Sequence, residues 1–182
     1  MLQFDKLLPY IMRHEGVSST NPTGYANDSN DPGGETNWGI SQRSWSFLRV
    51  KFPTYPVSVK SLNFEQARSI YNSIYYLPVF DKLPFGPALV AFDCEVNEGI
   101  GVKVLQRAIG AFDDGQFGPQ SEQALRLALR DVPNLVENLL WERIKHYIAI
   151  SKPSPVNQAY LAKEWLPRLI QCRKEAGQFV NS

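Results

Sequence analysis

Apolar residues in this chain recur mostly at spacings of three and four, and strict alternation is almost absent. The first stripe is Phe4, Leu7, Leu8, Ile11 and Met12, the mark of an amphipathic helix with one face turned to a core. Similar stripes follow. Ser41 is placed to cap a helix running to about Val50, and Asn63 to cap one that carries Ile70, Ile74 and Leu77. A long apolar helix begins near Pro84 and carries Leu89, Phe92, Val96 and Ile100, with Gly99 and Gly101 placed to bend or break it. Val104, Leu105, Ala108 and Ile109 follow, then the turn Asp113-Asp114-Gly115. Pro119 opens a helix through Leu125 and Leu129, and Pro133 opens another with Leu135, Leu139, Leu140 and Ile144. A last helix carries Leu161, Trp165, Leu169 and Cys172, with Pro167 as its kink.

One stretch breaks this rhythm. Residues 14–40 read HEGVSSTNPTGYANDSNDPGGETNWGI, rich in turn formers and acids and poor in apolar residues. Such a run is unsuited to a core, and long ordered loops of this kind commonly carry function. Strand signal is confined to it: Tyr25 and Trp38-Gly39-Ile40 suit a short hairpin or three-strand ribbon. Just before it stands Glu15. At 100° per residue, position 15 lies about 20° from Phe4, so Glu15 is on the apolar stripe and not on the solvent face. Gly16 then stops the helix. A carboxyl half-buried at a helix C-terminus meets desolvation and the negative end of the helix dipole. Both favour its neutral form, the form a general acid needs.

At 182 residues and 43% apolar composition, the chain is long enough for one domain or two small lobes with a core. The formal net charge of +1, with no Lys/Arg run, gives no field to draw it to nucleic acid. Cys94 and Cys172 lie in helical patterns far apart, and two cysteines make no disulfide framework. They read as free core thiols of a protein made in a reducing compartment. No segment approaches the about 18 apolar residues of a membrane span, and residues 1–15 read as an amphipathic helix rather than a signal peptide. The expected location is the cytoplasm of the producing cell, with outside help for release to the cell wall.

The polar stretch carries a family resemblance. Glu15, Gly16, Gly24, Tyr25, Asn27, Asp28, Asp31, Pro32, Gly33, Gly34, Thr36, Gly39 and Ile40 match E-G-G-Y-x-N-D-x-x-D-P-G-G-x-T-x-x-G-I, and the chain here resembles glycoside hydrolase family 108. These are N-acetylmuramidases of phage lysis cassettes and some bacterial secretion loci. One departure is plain: an insertion of roughly Val17 to Thr23 opens the compact E-G-G-Y. The second half, with Asp93, Val96-Asn97, Leu105-Gln106-Arg107-Ala108 and Asp114-Gly115…Gly118-Pro119, resembles the family's C-terminal predicted peptidoglycan-binding region, Ser121 standing near the usual Thr. The resemblance implies a mainly α, lysozyme-like two-lobe helical domain with a small β-hairpin or ribbon beside the catalytic cleft. Residues 1–90 would form the catalytic region, and 91–182 a helical region packed as the second lobe.

The resemblance also implies roles. Glu15 is the general acid, Asp31 the second carboxylate on a rigid Asp-Pro-Gly-Gly turn, and Thr36 the residue that orients the attacking water, as in phage-type lysozymes that share the E…D…T order. Asp28 and Glu35 are rival second carboxylates or substrate contacts, and Tyr25 and Trp38 are sugar-stacking platforms or core aromatics. Cleavage of a glycosidic bond needs two carboxylates and no cofactor. The expected partner is the glycan strand of bacterial peptidoglycan, met by a monomer that binds neither nucleic acid nor membrane.

Other chemistries fit less well. A zinc amidase needs several ligands, whereas only His14 and His146 are present, with no HExxH. A Cys–His peptidase needs an exposed thiol, and both cysteines sit among apolar residues. Asp28, Asn30 and Asp31 suggest a calcium loop only faintly, with Pro32 and no bidentate glutamate at its twelfth place. A lytic transglycosylase, using one glutamate, and a non-catalytic wall-binding protein with the same fold remain as rivals.

Overall fold

The computed structural model describes residues 2–27 and 33–178. The chain divides into two compact units, residues 1–74 and 75–182. Residue 90, the end of the catalytic region expected above, lies within a helix of the second unit.

The first unit starts with α1 (Gln3–His14), whose buried residues are the predicted stripe, Phe4, Leu7, Leu8, Ile11 and Met12. Glu15 is its C-cap residue and Gly16 follows at φ +86°, the left-handed helix end that the glycine predicts. The strands β1 (Thr36–Asn37) and β2 (Ile40–Ser41) pair antiparallel, Thr36 with Ser41 and Asn37 with Ile40. Ala26 bridges Thr36 on the other side, N–H to O in both directions at 2.9 and 2.8 Å, which supplies the third strand of the expected ribbon in minimal form.

Ser41 caps α2 (Gln42–Leu48), its hydroxyl accepting from the Ser44 N–H, and a 3-10 turn, Arg49–Lys51, continues it. Trp45 of α2 is fully buried against Phe52 and Tyr55 and donates to the Pro56 carbonyl. After a 3-10 turn at Val59–Ser61, Asn63 and Gln66 cap α3 (Phe64–Ile74) reciprocally, each side chain accepting from the other's N–H. Arg68 of α3 ties to Asp5 of α1 at 2.6 Å. The helix ends at Ile74, so Leu77, predicted as one of its apolar positions, lies beyond it, just before the 3-10 turn Pro78–Lys82.

The second unit is built on α4 (Phe85–Glu98), which packs against α5 (Gly101–Ala108), α7 (Val132–Ser151) and α9 (Leu166–Gly177). Every residue from Gly86 to Cys94 is buried, as a helix apolar on all sides requires. The segment before α4 belongs to this unit because it shares its core: Tyr76 and Phe80 pack on Phe92, with ring centroids 5.2 and 5.9 Å away. Gly99 ends α4 at φ +68°, so of bend and break it is the break, and Ile100 lies beyond the helix as the N-cap of α5.

The remaining helices are α6 (Pro119–Ala128) and α8 (Pro155–Tyr160). The predicted last helix is not one α-helix. Leu161–Trp165 form a π-helical turn between α8 and α9, with Pro167 in the first turn of α9. A proline there has no N–H to return to residue 163, and the wider turn absorbs the missing bond.

Two polar networks sit inside the second unit. Gln106, with no exposed surface, donates to Asp114 Oδ1 at 2.8 Å and accepts from the Gly115 N–H at 2.8 Å, so one amide knits the Asp114-Gly115 turn to α5. Deeper, Arg143 meets Asp93 at 2.9 Å and Glu98 at 2.5 Å, and Arg168 meets Asp93 from α9 at 2.9 Å. Asp93 thus takes two guanidinium groups.

Candidate active site

The candidate site gathers around the end of α1. Glu15 is half-buried, and its N–H bonds back to the Ile11 and Met12 carbonyls at 3.0 and 3.2 Å, so its backbone is held by the helix it ends. Its side chain lies against the β1–β2 turn. That turn has two residues, Trp38 at φ +54° and Gly39 at φ +75°. Both central residues at positive φ define a type I′ turn, the hairpin connection whose twist suits paired strands. A methyl on Gly39 would stand 2.6 Å from Glu15 Cβ, 2.7 Å from Glu15 Cγ and 2.5 Å from the Tyr71 hydroxyl. Only glycine leaves room there for the glutamate.

The hairpin is anchored from beneath. Asn37, 3% exposed, donates to the carbonyls of Val59 and Leu62 at 2.9 and 3.2 Å. Trp38 donates from its indole to the same Leu62 carbonyl at 2.9 Å, and its ring meets the edge of Phe64 at 5.5 Å. Tyr71, on α3, donates to the Trp38 carbonyl at 2.9 Å. Asn37 and Tyr71 are the supporting residues that sequence reasoning passed over. Asn37 carries a signal, a polar residue beside a turn in the motif. Tyr71 carries none beyond its place on an apolar stripe.

The insertion at 17–23 leaves Glu15 seated against the hairpin. Its ends meet: Gly24 is buried at φ +63°, and a methyl there would lie 2.9 Å from the Glu15 carbonyl oxygen. The loop closes on itself through Ser18 and Asn21, and Ser18, Ser19 and Thr20 point outward. Gly24 therefore occupies a place against Gly16.

The other predicted residues fall as follows. Thr36, half-exposed, is on β1 of the same hairpin. Tyr25 donates to Glu35 at 3.2 Å, and the Lys60 ammonium lies 5.4 Å over the Tyr25 ring, so Tyr25 and Glu35 form one cluster. Trp38 is in the turn itself, half-buried and with its N–H engaged. Asp28 and Asp31 lie outside the described residues.

The thiols stand apart from this chemistry. Cys94 and Cys172 are both buried in the second unit, where burial pushes each thiol well above its ordinary range. Among the described residues no three His, Cys, Asp or Glu side chains gather closely enough to hold a metal ion, and no helix is long and apolar enough to cross a membrane. A 540 Å³ apolar groove along α8, walled by Val156, Ala159 and Tyr160, contains none of the candidate residues.

The family model described as Glycosyl hydrolase 108 matches residues 8–99, which include Glu15, the hairpin and Tyr71. The solved structure of Brucella abortus SagA is similar over 98% of this chain and 96% of that one, with 27% sequence identity and a TM-score of 0.76. No curated protein matches. The mainly helical, lysozyme-like fold class with a small antiparallel hairpin is thus the one observed. With half of its length under that family model and the motif glutamate seated on the motif hairpin, the chain belongs to the glycosyl hydrolase 108 family.

Proposed function

We propose that this glycosidase is an endo-acting N-acetylmuramidase that cuts the β-1,4 bond between N-acetylmuramic acid and N-acetylglucosamine in peptidoglycan. The observation that carries this reading is the seating of Glu15, a half-buried carboxyl at a helix end pressed against a glycine turn of the family's own motif.

In this reading Glu15 gives its proton to the leaving glycosidic oxygen. Asp31, across the sugar, takes a proton from the attacking water, and Thr36 orients that water. A water between acid and base needs the carboxyls about 6.5–9.5 Å apart and inverts the anomeric centre. The Tyr25–Glu35 pair and Trp38 line the path of the sugar chain. The helical region from residue 91 onward holds the wall while the first unit cuts. The protein acts as a monomeric phage endolysin without a cofactor, made in the cytoplasm and let through to the wall by a holin or another export route.

Mass spectrometry of digested peptidoglycan tests the bond. Reducing muramic acid ends are expected. Anhydro ends would make the enzyme a lytic transglycosylase, and free stem peptides an amidase. Unaltered wall material with retained binding would leave a non-catalytic wall-binding protein.

A further inference from the structure

Trp38 holds a backbone conformation that a bulky residue seldom adopts, at φ +54°. Such conformations persist only where the surroundings over-determine them, and they gather at functional sites. Hydrogen bonds from three directions hold this one, the first from the Trp38 main-chain N–H to the Thr23 carbonyl at 2.7 Å. The Leu62 carbonyl holds the indole ring at 2.9 Å. Tyr71 holds the peptide itself, its hydroxyl donating at 2.9 Å to the Trp38 carbonyl from 33 residues further along the chain. Tyr71 is 1% exposed, so its hydroxyl reaches this bond from inside the first unit.

The next residue links this bond to the catalytic carboxyl. The space beside Gly39 is filled by the Tyr71 hydroxyl and by Glu15 Cβ and Cγ. The peptide that Tyr71 grips therefore forms the wall on which the Glu15 side chain rests. Glu15 itself is a cap residue, so the helix fixes its backbone and leaves its side chain to be aimed by what it touches. We infer that Tyr71 is a positioning residue for Glu15: by fixing the Trp38-Gly39 turn it sets where the acid proton is held. The inference rests on the reading of Glu15 as general acid.

Tyr71→Phe removes the hydroxyl alone. A misplacement of about 1 Å in a catalytic group can cost on the order of a hundredfold in rate, so kcat on purified glycan strands should fall by about tenfold or more while KM holds. Introducing 4-aminophenylalanine at position 71, which restores a donor to the Trp38 carbonyl, should recover most of the loss. In a Glu15→Gln background, Tyr71→Phe should cost nothing further. All rates are taken per folded molecule, in the cold, with folding checked by circular dichroism.

An unchanged kcat in folded Tyr71→Phe, or an equal loss with and without Glu15, would overturn the inference. A second readout needs no substrate. The carbon-13 signal of the Glu15 carboxyl, assigned by its absence in Glu15→Gln, should move or broaden in Tyr71→Phe. Wild-type protein that leaves glycan strands uncut while this signal responds would defeat the muramidase reading and keep the positioning. A signal that stays in place would defeat the positioning whatever the enzyme cuts.

Discussion

Gly24 lies flat on the backbone of Glu15, so close that a methyl group there would stand 2.9 Å from the Glu15 carbonyl oxygen. The loop 17–23 thus leaves the chain at Gly16 and returns to it at Gly24. Substituting Gly24 combines backbone strain at positive φ with a clash against main chain, which cannot move aside as a side chain can. Gly16 shares the positive φ but has open space where a Cβ would go. Gly24→Ala should therefore cost clearly more than the roughly 1–2 kcal/mol of left-handed strain expected at Gly16→Ala. Denaturant unfolding of the two variants measures the difference. Shortening the exposed Ser18–Thr20 segment should change stability little, since loop-closure entropy varies slowly with length.

The site residues are separable by isosteric change. Glu15→Gln keeps shape and removes the proton, so it should retain the fold and lose about 10²–10⁴-fold in turnover. Asp31→Asn should cost far more activity than Asp28→Asn or Glu35→Gln, because Glu35 already accepts from the Tyr25 hydroxyl. Turnover of soluble glycan strands by the four proteins decides. Near-wild-type rates in Asp31→Asn with collapse in Glu35→Gln would move the base to Glu35.

Arg143 is the electrostatic centre of the second unit. It has no exposed surface and answers both Asp93 and Glu98. Removing it leaves two carboxylates in a dry core with Arg168 as the remaining guanidinium on Asp93. Arg143→Met should destabilise by about 3–5 kcal/mol, the usual cost of breaking one side of a buried pair. Chemical denaturation checks this, and a loss below 1 kcal/mol, roughly a surface ion pair's worth, would show the cluster to be loosely held.

A pH dependence follows from Asp114. The Gln106 amide, then the Gln116 N–H, hold its carboxyl below the usual carboxylate range. A carboxyl lowered in the folded state adds stability above its unfolded value, and that stability fades as pH falls through the folded one. The wild type should lose part of its thermal stability below about pH 4, where ordinary aspartates take up protons. Asp114→Asn should flatten that part of the acid limb. Melting curves from about pH 5 down to about pH 2 compare the two, and identical acid limbs would remove Asp114 from the account.

Periodicity by itself determined α1 and the place of Glu15 on its buried side, because a helix repeats every 3.6 residues and Gly16 can take the left-handed end. Local chemistry likewise determined the Ser41 and Asn63 caps and the hairpin at Asn37-Trp38-Gly39-Ile40, since each depends on residues within a few positions of one another. The motif, read against its family, pointed to the glutamate and the fold.

Tertiary structure alone decided the rest. It put Tyr71 beneath a turn 33 residues away, closed the 17–23 loop so that Gly24 meets Glu15, and gave Asp93 two arginine partners from distant helices. It also joined residues 75–84 to the second unit through the Phe92 core. None of these leaves a periodic or local trace. A hydrogen bond or a close approach between remote segments depends on where two backbones meet, and that is set by the packing of the whole apolar face rather than by any neighbouring residue.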